Sequence, residues 1–282
     1  MGDKRKKMSH DLIDPKKPFE QLALEVHDEQ NLLRQNPAQY AIKLEDYLQY
    51  FDDKELRLPN QVPVETYEGT AAVKEAIEEL KRTAALPDLQ WKHGLAQAAL
   101  SHARDVGKRG KTGHLGSDGS HSRERIERFG KWDKVCGENI DYANFDARDI
   151  ICMLLIDDGI SDRGHRNNLL NPEFKTSGVG IGFHTTYSVV TVITYAGQYR
   201  EKKGVFGPEY SHEEIAHHVT EEQFKDVKED EIDDWPHDAV SRKIKTETRF
   251  LIGRKQVITQ TLYQFADGST KEIIDSLTSR MQ

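Results

Sequence analysis

Two histidines and three acidic residues stand at the predicted ends of helices and strands, where their side chains could meet in a site. His114 lies in a glycine-rich loop, Glu138 at a predicted strand start, Asp157 and Asp158 at the end of a buried helix, and His165 after a glycine in a tight turn. Two imidazoles with one or two carboxylates suit a divalent transition metal, most plausibly zinc with an open position. Because His114 and His165 are 51 residues apart, spacing does not identify such a site. A hydrogen-bonded network that orders loops explains the same residues.

The common catalytic motifs are absent from the sequence. It has no phosphate-binding loop that ends in Lys-Ser/Thr, no Gly-x-Ser-x-Gly elbow, no His-Glu-x-x-His helix and no EF-hand loop. These patterns mark the frequent classes of nucleotide enzymes, serine hydrolases, zinc proteases and calcium-binding proteins. The sequence therefore assigns no catalytic residue, and a non-enzymatic role is favoured.

A helix with one buried face precedes the loop of His114. Leu95, Ala99, His102 and Val106 recur at helical spacing, which indicates a single stripe facing a core. His102 lies on this stripe. We predict that it is a packed, hydrogen-bonded core residue rather than a ligand, as a lone histidine on an apolar face usually is.

A buried helix and a β-hairpin are also clearly marked. Residues 150–156 are apolar almost all round, which indicates a deeply buried helix, and Asp146 is placed to cap its start. Strands are predicted at 178–184 and 187–195, because β-branched and aromatic residues flank a short turn. Two acids of the candidate site, Asp157 and Asp158, directly follow the buried helix.

Shifts in composition divide the chain into four predicted parts. They are a basic disordered start at 1–17, a main domain at 18–200, an acidic linker at 201–235 and a small β-meander module at 236–282. The last part is too small to bury much apolar surface by itself, so we expect it to dock on the main domain or on another protein.

Two regions depart from a plain single domain. Residues 51–86 form an insertion in the main domain, predicted as a loop up to Gly69 and then an amphipathic helix. The β module is predicted from strand-like stretches at 243–252, 256–265 and 270–274, separated by turn residues.

Composition excludes some classes of partner. The chain has 282 residues and a net charge of −8, which argues against nucleic acid because phosphate binding needs a concentrated basic face. Its longest apolar stretches, at 151–156 and 189–196, are far shorter than the roughly 18 residues of a membrane span. We therefore expect neither nucleic-acid binding nor a transmembrane helix.

The N-terminus and the cysteines predict a cytoplasmic location. No apolar segment follows the basic first residues, so a secretory signal is not predicted. Cys136 and Cys152 are too few for a disulfide framework, which fits a reducing compartment. The cluster Lys4–Lys7 alone would give only marginal binding to a membrane surface.

Four motifs, in order along the chain, resemble those of one family. They are Glu29–Arg34, Gly113-His114 with Ser117–Ser120, Gly137–Ile140, and 164–172 followed by Gly178-Val179-Gly180. Together they resemble the CAP superfamily, also called SCP, which contains cysteine-rich secretory proteins, venom allergens and plant pathogenesis-related proteins. The stretch 164–172 is similar to the bacterial form of the family, and the resemblance covers residues 20–199.

The resemblance implies an α-β-α sandwich with a central cleft that gathers two histidines and two acids. Carried over residue by residue, these are His114, Glu138, His165 and an acid at the end of the buried helix, for which we choose Asp157, with Asp158 as the alternative. In some family members the cleft binds a divalent metal, so His114 and His165 would be its ligands and zinc the cofactor. Lipid or sterol binding is attributed to other surfaces of the family.

The resemblance and the added segments predict a function. We expect an intracellular binding or structural subunit of a larger assembly, such as a cytoskeletal one, with protein partners at the insertion and at the β module. A metal-dependent hydrolase is one alternative, in which Glu138 acts as base on a water polarised by metal on His114 and His165. A lipid- or sterol-binding protein at a membrane surface is the other. Family members are usually exported and often disulfide-bonded, whereas for this chain we expect neither feature.

Overall fold

A computed structural model describes residues 19–58, 63–210, 225–226, 239–251, 254–265 and 270–280, with side chains at 19–58 and 63–210. The predicted basic start at 1–17, including Lys4–Lys7, and most of the predicted acidic linker at 201–235 lie outside the described residues. The domain limits given above stay predictions.

The helix predicted from Leu95 to Val106 and the buried helix predicted at 150–156 are both present, whereas the tight turn predicted at His165 is a short helix. The described residues form α1 (Phe19–Gln35), α2 (Pro37–Leu48), α3 (Thr70–Arg82), α4 (His93–Arg109), α5 (Ser122–Phe129), α6 (Ala147–Ile156) and α7 (Gly164–Leu169). Asp146 accepts hydrogen bonds from the first amides of α6, which confirms its predicted role as cap. Within the described part of the chain, none of these helices combines the length and the apolar character that crossing a bilayer requires.

The strands form three sheets. They are β1 (Phe51–Asp52), β2 (Glu55–Leu56), β3 (Val64–Glu65), β4 (Gln90–Trp91), β5 (Gly130–Tyr142), β6 (Thr176–His184), β7 (Ser188–Glu201), β8 (Lys225–Asp226), β9 (Ala239–Leu251), β10 (Arg254–Phe265) and β11 (Thr270–Arg280). The neighbours within each sheet are β4-β6-β7-β5, β1-β2-β3 and β11-β10-β9-β8.

The central sheet is built around the predicted hairpin. Strands β6 and β7 are antiparallel, β7 pairs antiparallel with β5, and β4 is parallel to β6. The hairpin is present and is longer than predicted, because β7 continues to Glu201. The strand predicted to start beside Glu138 begins earlier, at Gly130. Strand β5 is the last of the described strands in this sheet and forms its edge. Glu138 lies on this edge strand.

Helices cover both faces of this sheet, which confirms the predicted α-β-α sandwich. Helices α4 and α5 pack on one face, where Ala99 and Val106 meet Val190 and Val192. Helices α1 and α6 lie on the other face, over a larger core that includes Ile193 of β7. Successive strand residues point to opposite faces of a sheet. Neighbouring residues of β5 therefore face different helical layers of the sandwich.

Two glycines let α4 lie directly on β6. A Cβ atom at Gly178 would lie 2.1 Å from the backbone nitrogen of Ala96, and one at Gly180 would lie 2.1 Å from that of Leu100. No side chain fits in such a space, so the helix backbone rests on the strand backbone at both points. This contact fixes the position of α4 on the sheet, and therefore the position of its C-terminal end, from which the loop of His114 begins.

The insertion is more ordered than predicted. The stretch 51–69, expected as a loop, contains the small antiparallel sheet of β1, β2 and β3. Strands of two residues give no measurable alternation of apolar residues, so periodicity could not reveal them. Helix α3 follows, packs on α2 through a buried stripe that includes Val73 and Leu80, and ends at Arg82 rather than at Leu86.

A separate sheet forms towards the C-terminus. Strands β9, β10 and β11 are consecutive antiparallel neighbours, which is the order of a meander. Strand β11 continues to Arg280, six residues beyond its predicted end. Strand β8 lies in the stretch predicted as linker and pairs with β9.

Candidate functional site

His114 and Glu138 form one hydrogen-bonded pair. Their Nδ1 and Oε1 atoms are 2.9 Å apart. Because an ionised carboxylate only accepts hydrogen bonds, Nδ1 of the ring carries the proton and Nε2 is left without one in the neutral ring. The Glu138 side chain is 1% exposed and that of His114 is 51% exposed. The pair therefore consists of a buried acid that orients a ring at the surface.

Arg125 of α5 holds the same carboxylate from the interior. Its Nη2 atom lies 2.8 Å from both carboxylate oxygens of Glu138, and its side chain is 3% exposed. Burial would raise the pKa of Glu138, but the hydrogen bond from His114 and the charge of Arg125 outweigh it, so the pKa lies below its usual value. Glu138 is thus ionised at neutral pH and has both oxygens engaged.

The backbone around His114 is fixed by buried side chains. The carbonyl of Gly113 lies 3.0 Å from Nε2 of His102, and its amide donates to the hydroxyl of Tyr142 at 2.9 Å. Arg125 donates to the carbonyl of His114 at 3.0 Å. His102 is fully buried, which confirms the prediction that it is a hydrogen-bonded core residue. Burial lowers its pKa, so the ring is neutral.

The hairpin of β6 and β7 supports the same loop through His184. Its Nε2 atom donates to the carbonyl of Lys111 at 2.9 Å, and its Nδ1 atom accepts from the amides of Thr186 and Tyr187, each at 3.1 Å. This arrangement requires one neutral tautomer. Burial lowers the pKa of His184, which favours that form.

Asp157 and His165 form a second pair. Asp157 ends α6 in the left-handed conformation, with φ at 54°. Its Oδ1 lies 2.7 Å from Nδ1 of His165, and its Oδ2 accepts from the backbone amides of His165 (2.9 Å) and Arg166 (3.3 Å). The Asp157 side chain is 2% exposed and the His165 side chain 26%. One carboxylate thus caps the start of α7 and orients the ring that α7 carries.

The two acids considered for this position have different contacts. Asp158 accepts from the backbone amides of Tyr67 and Glu68 in the insertion, at 2.7 and 2.9 Å. Asp157 is the one whose carboxylate contacts His165. The choice of Asp157 thus has a hydrogen bond in its favour, while Asp158 binds the insertion to the loop after α6.

Both pairs are attached to neighbouring residues of the edge strand β5. Asn139, next to Glu138, donates from its side chain to the carbonyl of His165 at 3.0 Å. Asn168 of α7 donates to the carbonyl of Glu138 (3.3 Å) and to the side chain of Asn139 (2.8 Å). Helix α7 therefore lies against β5 beside Glu138. That the two rings line one common cleft stays a prediction.

The donor set does not fit a zinc ion. Among the described residues, no group of three or more His, Cys, Asp and Glu side chains is placed to hold a metal. Both carboxylates already accept from arginine, imidazole or backbone donors, which leaves the Nε2 atoms of His114 and His165. Catalytic zinc has three protein ligands and structural zinc four, so two imidazoles do not make such a site.

Comparison with known proteins identifies the family. The model of the CAP family, described as the cysteine-rich secretory protein family, matches residues 30–196, which is more than half of the chain. The chain belongs to the CAP family. All four residues of the two pairs lie inside the matched CAP region, and the sheet of β9–β11 lies beyond it.

Two solved structures are similar to part of this chain. One is an extracellular protein from Bacillus anthracis str. Ames that contains an SCP domain, with 24% sequence identity over 44% of this chain and a TM-score of 0.32. The other is an outer surface protein from Borrelia burgdorferi, with 16% identity over 49% of this chain, 98% of that chain and a TM-score of 0.35. The match spans 37% of the length of the Bacillus protein. A search of curated proteins finds no match.

Proposed function

We propose that this CAP-family chain is a non-enzymatic binding protein in which His114 and His165 contact a partner. The observation that supports this most is the state of the two acids. Glu138 has both oxygens on Arg125 and one also on His114, and Asp157 accepts three hydrogen bonds. The acids therefore orient the rings and are not available as bases.

The geometry favours a partner with polar hydrogen-bonding groups. Each ring donates through Nδ1 to its acid, so each Nε2 atom accepts a hydrogen bond in the neutral ring and donates one when protonated. Fixing a ring in advance reduces the entropy cost of binding. Amide and hydroxyl groups of a protein segment match this pair of acceptors.

The insertion and the C-terminal sheet supply the further docking surfaces of this proposal. Among the described strands of the sheet β8–β11, β11 is at the edge and pairs with β10 alone. An open strand edge is a common site for adding a partner strand. A place in a larger intracellular assembly, such as a cytoskeletal one, belongs to the same proposal, and the free thiols of Cys136 and Cys152 support the reducing location.

Native size of the full chain in cell lysate tests the proposal. We expect the tagged chain to migrate as part of a larger complex, and we expect the double variant His114→Gln/His165→Gln to be released from it. His93→Gln is the matched control, because His93 is an exposed histidine outside the two pairs. Migration of the wild-type chain as a free monomer would contradict the proposal.

A hydrolase is the second candidate, supported by the Asp157–His165 contact. A carboxylate on Nδ1 with Nε2 unoccupied is the arrangement of a general base. No serine, threonine or cysteine side chain hydrogen-bonds either ring in the part of the chain that the structure describes. Hydrolysis of esters or peptides that is lost in His165→Gln and kept in His93→Gln would replace the binding proposal.

A further inference from the structure

The insertion and the loop after α6 cap each other's backbone. Asp158 accepts from the amides of Tyr67 (2.7 Å) and Glu68 (2.9 Å), and Glu68 accepts in turn from the amide of Gly159 (2.8 Å). Each segment thus supplies a carboxylate to the other. Separating them would leave several amides without their partners, which costs free energy at each one.

Arg163 joins the same two segments through its guanidinium group. It donates two hydrogen bonds of 2.7 Å to Glu68, and two of 3.0 and 2.8 Å to Glu75 of α3. It also donates to the backbone carbonyl of Asp157 at 2.8 Å. Hydrogen bonds from Arg163 hold the pKa of Glu68 and of Glu75 at about 2. Both acids therefore stay charged at neutral pH.

Arg166 connects α3 with the end of α6. Its side chain is fully buried and donates to Glu75 (2.6 Å) and Glu79 (3.0 Å), as well as to the backbone carbonyl of Leu155 (2.6 Å). A buried guanidinium needs partners for its donors and charge. The acids of α3 thereby fix the backbone immediately before Asp157.

We propose that Glu68 and Glu75 of the insertion are positioning residues for His165. They hold two arginines, the arginines hold the backbone at the end of α6, and Asp157 at that end fixes the ring of His165. If the proposed binding function holds, on which the biological meaning of this inference rests, the insertion sets the orientation in which His165 meets its partner.

His114 provides an internal control for this proposal. Its ring and loop are held by Glu138, Arg125, Tyr142 and other residues outside the insertion. Among the described hydrogen bonds of that loop, none comes from the insertion. Loosening the insertion should therefore change one ring and leave the other as it was.

Imidazole ¹⁵N NMR on the full chain tests the inference without any ligand. We would compare the double variant Glu68→Gln/Glu75→Gln with the wild type at about pH 8, where histidine rings are mostly neutral. Glu78→Gln is the matched control, because Glu78 lies on the same helix and bonds the exposed Arg82. Exchange of the backbone amide of His165, which donates to Asp157, is measured on the same samples.

In the double variant we expect His165 to pass from the Nδ1–H form to a mixture with the Nε2–H form. Its amide should exchange at least about tenfold faster, because the cap on α7 opens more often. The spectrum of His114 should be unchanged, and Glu78→Gln should resemble the wild type. A ring that keeps its Nδ1–H form and an amide that keeps its exchange rate would overturn the inference.

Two further variants separate positioning from general damage. If the double variant does not fold, Glu68→Gln alone is judged by the same two measurements. Glu68→Asp keeps the charge and should restore part of the Nδ1–H signal. No partner is added in any of these experiments. Their results therefore test the positioning of His165 even if the binding proposal fails.

Discussion

A single nitrogen of Arg125 lies 2.8 Å from both carboxylate oxygens of Glu138, and both side chains are almost fully buried. The charge of the acid is balanced inside the protein, between α5 and β5. His114 then adds a hydrogen bond from the surface side of the same carboxylate. The imidazole ring of His114, at the surface, is thus held by an ion pair that is almost fully excluded from solvent.

Replacing Arg125 with methionine should destabilise the fold by about 3–5 kcal/mol. This is the usual cost of removing one member of a buried ion pair and leaving the other charge without its partner. Urea unfolding at neutral pH measures the loss. Arg128→Met is the matched control, because Arg128 pairs with Asp118 at the surface and such pairs contribute about 1 kcal/mol or less. Adding Glu138→Gln to Arg125→Met should recover part of the loss, and a full loss in that double variant would contradict this account.

Replacing Asp141 with asparagine should stabilise the protein at neutral pH. One oxygen of this carboxyl accepts from Asn144, and the other is buried with no described partner. Burial raises the pKa of Asp141 well above its ordinary value. An amide keeps the acceptor for Asn144 and carries no charge that would have to be buried.

The pH dependence of that variant follows from the direction of the shift. A raised pKa in the folded state means that protonated Asp141 favours folding at low pH, and that this contribution is lost as pH rises towards the folded-state pKa. The stabilisation by Asp141→Asn should therefore grow from acid to neutral pH, as measured by urea unfolding across that range. Asp133→Asn, at an exposed position of the same strand, should show no such trend.

Protonation of His184 should loosen the turn of the β6–β7 hairpin. The Nδ1 atom of His184 accepts from two backbone amides, and a protonated ring has no acceptor. Since burial lowers its folded-state pKa, the stability that His184 contributes is present above its unfolded value of about 6.5 and is lost as pH falls below it. A fall in the amide protection factors of Thr186 and Tyr187 as pH drops below that unfolded-state value would show this.

The variant His184→Phe removes these two hydrogen bonds and the one to Lys111 at every pH. At about 1 kcal/mol each, their loss should cost on the order of 3 kcal/mol and abolish the pH trend at Thr186. His93→Phe serves as the exposed histidine control. If the trend at Thr186 persists in His184→Phe, another group is responsible for it.

Adding one carbon at Gly178 should disrupt the contact between α4 and β6. The new Cβ would lie 2.1 Å from the backbone nitrogen of Ala96, so the helix would have to move, at a cost of about 1–3 kcal/mol or more. Thermal unfolding of Gly178→Ala measures it. Gly164→Ala is the control, because a Cβ at Gly164 has its nearest neighbour, a side-chain oxygen of Asp162, at 3.5 Å. Equal melting temperatures in the two variants would count against the close contact.

The sequence predicted the fold and the residues of the two pairs, but not what holds them. His114, Glu138, Asp157 and His165 could be named because glycines and prolines mark the ends of the elements that carry them, and because their motifs resemble a family. Arg125 could not be named. It lies in a run of charged residues that reads as a solvated helix face, and its burial depends on α5 packing against β5.

The insertion shows the same limit. Its short strands leave no periodic signal, and the acids of α3 look like an ordinary exposed helix face. Only the structure shows that Glu75 faces Arg163 and Arg166, about 90 residues further along the chain. Pairing between distant charges cannot be predicted from one sequence. The residues next to an acid or an arginine look the same whether or not it has a distant partner.

Helix α7 also closes part of an otherwise open sheet border. By donating to the carbonyl of Glu138, Asn168 occupies a position where a strand from another molecule could pair with β5. The segment that carries His165 thus covers part of a strand edge of the kind that can pair with another chain. Any displacement of this helix that exposed His165 further would also uncover part of the edge of β5, so the proposed binding role and the cover of this edge depend on the same few residues.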